Sequence, residues 1–131
     1  MKYLGIDYGE KRIGLATGDD VLKISTPFKV AGSMEDVLRA IKEEEIDVIV
    51  IGMPYTFKND FNDFGSDKGR MQKDVEKFIE LLKQRSEVKV ITMDERLSSK
   101  AADALLGNKK TKAPRDAVAA MLILQSFFDK L

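Results

Sequence analysis

The run Asp47-Val48-Ile49-Val50-Ile51-Gly52 is apolar without alternation and is closed by Met53-Pro54. A short run of this kind is the mark of a central parallel strand covered on both faces, so the chain must place helices above and below a sheet. The flanking segments supply them. Ser33 reads as an N-cap with Glu35 and Asp36 in the first turn, and Val37, Leu38 and Ile41 follow at helical spacing up to Glu45. After the run, residues 66–85 put Met71, Val75, Phe78, Ile79 and Leu82 on one helical face, and Val88 to Met93 give a further strand. Ser98 or Ser99 can cap a short helix through Leu106, closed by Gly107-Asn108. A last helix begins at Pro114 or Arg115 and runs to about Phe128, apolar nearly all round from Ala117.

The amino-terminal third has a different rhythm. Tyr3 to Ile6 is too short and too Gly-broken for a helix, and Ile13 to Thr17 resumes an apolar run after turn-type polar residues, so the two form a β-hairpin. Gly9 would let the backbone take a positive φ and approach a ligand closely. Leu22 to Val30 forms a third strand, confined to the sheet edge by Pro27. The order is β-β-β-α-β-α-β-α-α. Short hairpins join the first three strands and helices lead to the last two, so strands one, four and five run parallel. Right-handed crossovers then give an α/β fold with a five-stranded mixed sheet, order 3-2-1-4-5, flanked by helices. At 131 residues the whole of 1–131 is expected to be a single domain.

The chemistry is bounded by what the chain lacks. It contains no Cys and no His, which removes thiol catalysis, Ser-His-Asp triads and His-containing zinc sites. Any catalytic metal is held by oxygen donors, which favours Mg²⁺ or Mn²⁺. Asp7 ends the first strand, and a carboxylate buried there is costly unless it binds something. Asp7 and Glu95 end neighbouring parallel strands at the edge where open α/β sheets bind ligands. Asp116 stands in the first turn of the last helix, where the macrodipole favours negative charge. It joins them if that helix starts at the same edge. Three carboxylates about 5 Å apart repel by roughly 3 kcal/mol per pair at an effective dielectric of about 20, so a divalent cation, or a raised pKa on one acid, must relieve the cluster.

With 22 basic and 22 acidic residues, the overall balance does not mark a nucleic-acid binder, but the distribution is uneven. Lys109, Lys110, Lys112 and Arg115 put four cations into seven residues just ahead of Asp116, suited to neutralising phosphates. Lys11 and Arg12 form a second candidate phosphate contact and Arg96 a third. Asp7 and Glu10-Lys11-Arg12 interrupt any signal-peptide core, and no apolar stretch reaches about 18 residues. A cytoplasmic protein without membrane contact is the expectation.

Several motifs together resemble one family. They are Gly5-Ile6-Asp7-Tyr8-Gly9 with Lys11-Arg12-Ile13-Gly14-Leu15-Ala16, Gly52-Met53-Pro54, Asp94-Glu95-Arg96-Leu97-Ser98-Ser99, and Arg115-Asp116-Ala117-Val118-Ala119-Ala120 with Ile123-Leu124-Gln125. In order and spacing the chain is similar to the YqgF family, RNase H-like proteins described as candidate Holliday junction resolvases or pre-16S rRNA nucleases. It differs in having Ser98-Ser99 where the family usually has Thr-Thr, and Tyr55 where the family has Leu. The resemblance implies an RNase H-like fold with Asp7, Glu95 and Asp116 as catalytic metal ligands. It also implies a nuclease acting on structured nucleic acid; a monomer or weak homodimer is expected. The expected reaction is processing of the pre-16S rRNA 5′ end in ribosome biogenesis. The alternatives are Holliday junction resolution in DNA recombination and repair, or a non-catalytic nucleic-acid-binding or assembly role. The Asp-x-Gly hairpin also resembles the phosphate-binding turn of the actin and sugar-kinase fold, but that fold needs two such domains, and an ATPase ranks last.

Overall fold

All six residues of β4 (Val48–Met53) are buried. The computed structural model, which describes residues 1–53, 67–94 and 114–131, builds the rest of the sheet outward from it. On one side β4 pairs in parallel with β1 (Lys2–Asp7), and on the other with β5 (Lys89–Asp94). The antiparallel strands β2 (Ile13–Asp19) and β3 (Ile24–Ala31) complete a five-stranded sheet of order β3-β2-β1-β4-β5. Helices α1 (Met34–Glu43), α2 (Asp67–Arg85) and α3 (Arg115–Asp129) are the helices among the described residues. None is long and apolar enough to cross a membrane.

Local chemistry sets the element ends. The Ser33 hydroxyl accepts from the Asp36 N–H at 3.3 Å, the expected cap of α1, while the Asp36 carboxylate accepts from the Gly32 N–H at 3.1 Å. Pro27 lies in β3 on the sheet edge, and the pairing of β2 with β3 shifts register between Leu15 and Ala16, leaving Phe28 as an extra residue. The strand begins later than expected. Residues 20–23 form the turn, Asp19 Oδ1 accepts from the N–H groups of Val21 and Leu22, and Lys23 adopts φ 56°.

Strand alternation sorts the core into two layers. Leu4, Ile6, Leu15, Ile49 and Ile51 face α1 and α2, where Val37, Ala40, Ile41, Val75, Phe78 and Leu82 meet them. Met71, expected on that helix face, is instead 37% exposed. Tyr3, Val48 and Val50 face α3 and pack on Ile123, Leu124 and Phe128, with the Tyr3 and Phe128 rings edge to face at 5.3 Å.

The α3 layer is unusually close because the hairpin offers glycines to it. A Cβ on Gly5 would stand 2.8 Å from the Ala120 carbonyl oxygen, and one on Gly18 would lie 2.8 Å from the Phe128 ring. On Gly14 it would collide with the Asp116 carbonyl. Gln125 adds a polar clamp. Its Oε1 accepts from the Ser25 N–H at 3.0 Å, and its Nε2 donates to the Lys23 carbonyl at 2.9 Å and to Asp129 Oδ1 at 3.1 Å. The Ser25 hydroxyl donates to the Met121 carbonyl at 2.8 Å, so the start of the edge strand is tied to the helix.

Two stability predictions follow from this contact. Gly5→Ala should lower unfolding free energy by about 1–3 kcal/mol, since the obstructing atoms include helix backbone. Gln125→Ala should lower it by about 1–3 kcal/mol by leaving the Ser25 N–H and Lys23 carbonyl without their partner. Urea denaturation of each variant measures both.

Candidate active site

The hairpin loop of residues 8–12 and the first turn of α3 meet at the carboxyl edge of the sheet. Asp7 is the last residue of β1 and pairs with Gly14 of β2. Directly opposed residues of an antiparallel pair project to the same face about 5 Å apart. The Gly14 face is occupied by the Asp116 backbone, so Asp7 and Asp116 share the α3 side of the sheet at one end. Asp116 belongs to the first turn of α3, and the Val118 N–H to Pro114 carbonyl bond at 3.0 Å opens that helix. The α3 amino terminus therefore stands at the same edge as Asp7, the condition the sequence left open.

One residue beyond the Ile6–Ile51 pair, Asp7 is level with Gly52, which brings no side chain to this face. Gly52 in turn pairs with Met93 of β5. Because β4 stands between β1 and β5, the ends of those two strands are not neighbours as expected. They lie two strand spacings apart, about 10 Å. Ile91 and Met93 are on the α3 face.

Arg12, which sequence reasoning assigns only to substrate, is a cation beside one of these acids. Its Nε lies 3.5 Å from Asp116 Oδ2, with the two side chains 75% and 32% exposed. Lys11 and Arg115 are exposed on the same two segments. Glu95, Arg96, Lys109, Lys110 and Lys112 lie outside the described residues, as do the Ser98–Ser99 cap, its helix and most of the 55–70 loop. Gly9 does not take the positive φ it permits. What Gly9 provides is room, because a Cβ there would lie 2.6 Å from the Arg12 carbonyl oxygen across the tight loop.

Tyr8 is a neighbour of the site that the sequence did not single out. It turns to the opposite face from Asp7 and rests on Phe78 of α2, ring centroids 4.9 Å apart. Its phenol titrates above the ordinary tyrosine value, first through burial and then through the negative charges of Asp74 and Glu10. No pattern in the chain announces this contact, since the residues meet only when α2 folds over the sheet.

Among the described residues no group of three or more acids is assembled as a metal site. Asp7 and Asp116 nevertheless fit a hard divalent cation: they share one face and one edge, and a side-chain cation already sits beside Asp116. The arrangement is that of an acid-bearing α/β sheet edge with the carboxylates aimed to one side. It is the arrangement of an RNase H-like fold.

The fold matches Thermus thermophilus RuvC in complex with Holliday junction substrate at TM-score 0.62 and 14% identity, over 99% of this chain and 94% of that one. It also matches the Fowlpox virus resolvase solved with Holliday junction DNA, at TM-score 0.59 and 14% identity, over 99% and 98%. At such identities the likeness is one of fold. Sequence carries the relationship further. The profile of RuvX, described as Holliday junction resolvase, matches residues 1–130, and the chain belongs to this family, also called YqgF. A protein of Endomicrobium trichonymphae named as a candidate pre-16S rRNA nuclease is 33% identical over 140 residues, 98% of this chain and 95% of its own. Relatives of the same name in Chlamydia abortus and Mycoplasmoides gallisepticum are 36% and 37% identical, over 97% and 98% of this chain and 89% and 96% of their own. The chain is thus a nuclease, a hydrolase of phosphodiester bonds.

The raised Tyr8 value has a defined sign in stability. The folded protein keeps the phenolic proton to higher pH than the unfolded chain. This contribution is therefore complete below about pH 10 and is lost as pH rises through the folded value. Tyr3, raised mainly by burial, acts in the same direction. Denaturation midpoints followed from about pH 10 upward should decline, and Tyr8→Phe should decline less steeply than wild type.

Proposed function

We propose that this nuclease is metal-dependent and processes the 5′ end of pre-16S rRNA, with Asp7, Glu95 and Asp116 as its metal ligands and catalytic acids. The observation that carries this reading is the seating of the Asp116 backbone on Gly14, directly across from Asp7. It brings acids from the two ends of the chain to one face. Alternation in β5, with Ile91 and Met93 on that face, supports Glu95 as the third. One or two Mg²⁺ or Mn²⁺ ions, when bound, would supply an activated water and neutralise the leaving oxygen. The residues of the chain would orient the reaction: the acids would hold the cations at the carboxyl edge, and the apolar layer beneath supports that edge. Lys11, Arg12, Arg96, Lys109, Lys110, Lys112 and Arg115 engage phosphates on either side of the scissile bond.

The names of the curated relatives favour precursor rRNA as substrate. A four-way DNA junction is the second reading, favoured by the family description and by the resolvases that share the fold. Symmetric resolution of such a junction needs two active sites and hence a homodimer, whereas trimming an rRNA end needs only a monomer. Both readings are of a cytoplasmic protein.

Cleavage-product mapping with Mg²⁺ or Mn²⁺ on precursor rRNA and on four-way DNA separates them. Asp7→Asn is expected to abolish metal-dependent cleavage of either substrate and to leave circular dichroism and the thermal midpoint near wild type. Cleavage retained by that variant in a nuclease-free preparation would overturn the assignment.

A further inference from the structure

The Arg12–Asp116 pair joins a side chain read as a phosphate contact to one read as a metal ligand. Both backbones are fixed. The Arg12 carbonyl is packed against Gly9, and buried Ile13 follows it directly into β2. Asp116 is held by its own backbone against Gly14. The Arg12 side chain, by contrast, is 75% exposed and reaches the carboxylate through a contact of 3.5 Å. An exposed pair with a contact this long binds weakly and exchanges readily with solvent. The same carboxylate is a donor the divalent cation requires, and a guanidinium and a metal ion on one carboxylate repel.

We propose that Arg12 is a movable counter-ion: in the free protein it neutralises Asp116, and in the complex its guanidinium passes to a substrate phosphate, releasing the carboxylate for metal. This rests on the metal-site reading above and adds a coupling to it. Phosphate binding draws Arg12 away and so strengthens metal binding. By thermodynamic reciprocity, metal binding displaces Arg12 and strengthens phosphate binding. The device restrains the acid pair from holding a metal tightly when no nucleic acid is present. Arg12 acts here as a positioning residue for the metal and as a contact for the substrate.

The test uses the full chain as wild type, Arg12→Gln and Asp7→Asn. Mn²⁺ binding is measured by calorimetry without nucleic acid, and again with a saturating four-way DNA junction or precursor-rRNA fragment carrying non-hydrolysable linkages. Nucleic-acid affinity is measured by fluorescence anisotropy across a salt series. Arg12→Gln is expected to bind Mn²⁺ about three- to ten-fold more tightly than wild type when nucleic acid is absent, the effect of removing one unit charge beside the site at high effective dielectric. The tightening of Mn²⁺ by nucleic acid seen in wild type should shrink in this variant. Its salt dependence should fall by about one phosphate contact. Mn²⁺ affinity equal to or weaker than wild type in Arg12→Gln, with binding lost in Asp7→Asn, overturns the counter-ion role and leaves the metal site standing. Mn²⁺ binding that survives Asp7→Asn, or is absent from all three proteins, overturns both.

Discussion

The approach of α3 to the β1–β2 hairpin is the contact on which the rest of the molecule depends. Side chains between a helix and a sheet normally keep the backbones well apart, but here Gly5, Gly14 and Gly18 present only hydrogens, so Gly5 and Gly14 meet the helix backbone at Ala120 and Asp116 directly. The helix therefore descends until its first-turn carbonyl meets the strand. Close contact lets Tyr3, Val48 and Val50 close over Ile123, Leu124 and Phe128. It also fixes the depth at which Asp116 stands relative to Asp7, because both are referred to the same glycine.

The two faces of the sheet carry different duties. Against α1 and α2 the strands pack aliphatic side chains up to Met53, and Tyr8 continues that layer onto Phe78. Against α3 the apolar layer gives way at the carboxyl edge to Asp7, which is only half-buried. Its partial exposure keeps the charge out of a fully dry interior, where it would be expensive to keep. Strand alternation lets one backbone, Ile6-Asp7-Tyr8, serve the core on one side and present a carboxylate on the other. Edge placement and face placement are thus separate constraints, and this fold satisfies both at Asp7.

Polar groups secure the end of the sheet away from the acids. Gln125 and Ser25 tie the exposed edge strand to α3, the Lys2 N–H donates to Asp47 at 2.8 Å, and the amino terminus meets Asp20 at 3.0 Å. Apart from the hydrogen bonds of Gln125 and Ser25 these are largely exposed contacts of modest worth, but they hold the β2–β3 turn against the body of the molecule. At the opposite end the sequence places glycines, acids and a long cationic side chain. The molecule is tied at one end and charged at the other.

Much of this was written locally in the chain. The unbroken apolar run of β4, the Ser33 cap, Pro27 at the edge and the strand order follow from periodicity, capping chemistry and crossover handedness, which act over a few residues at a time. The place of Asp7 at the end of the first strand was legible because a short apolar run stops there before turn-type residues. Tertiary structure alone decided that Gly14 is the seat of Asp116, that Gly9 gives room without a left-handed turn, and that Arg12 faces a carboxylate. Each of these depends on which surfaces meet after the helices dock. A residue type states what it can offer, whereas its partner is set by packing between segments that the sequence holds far apart.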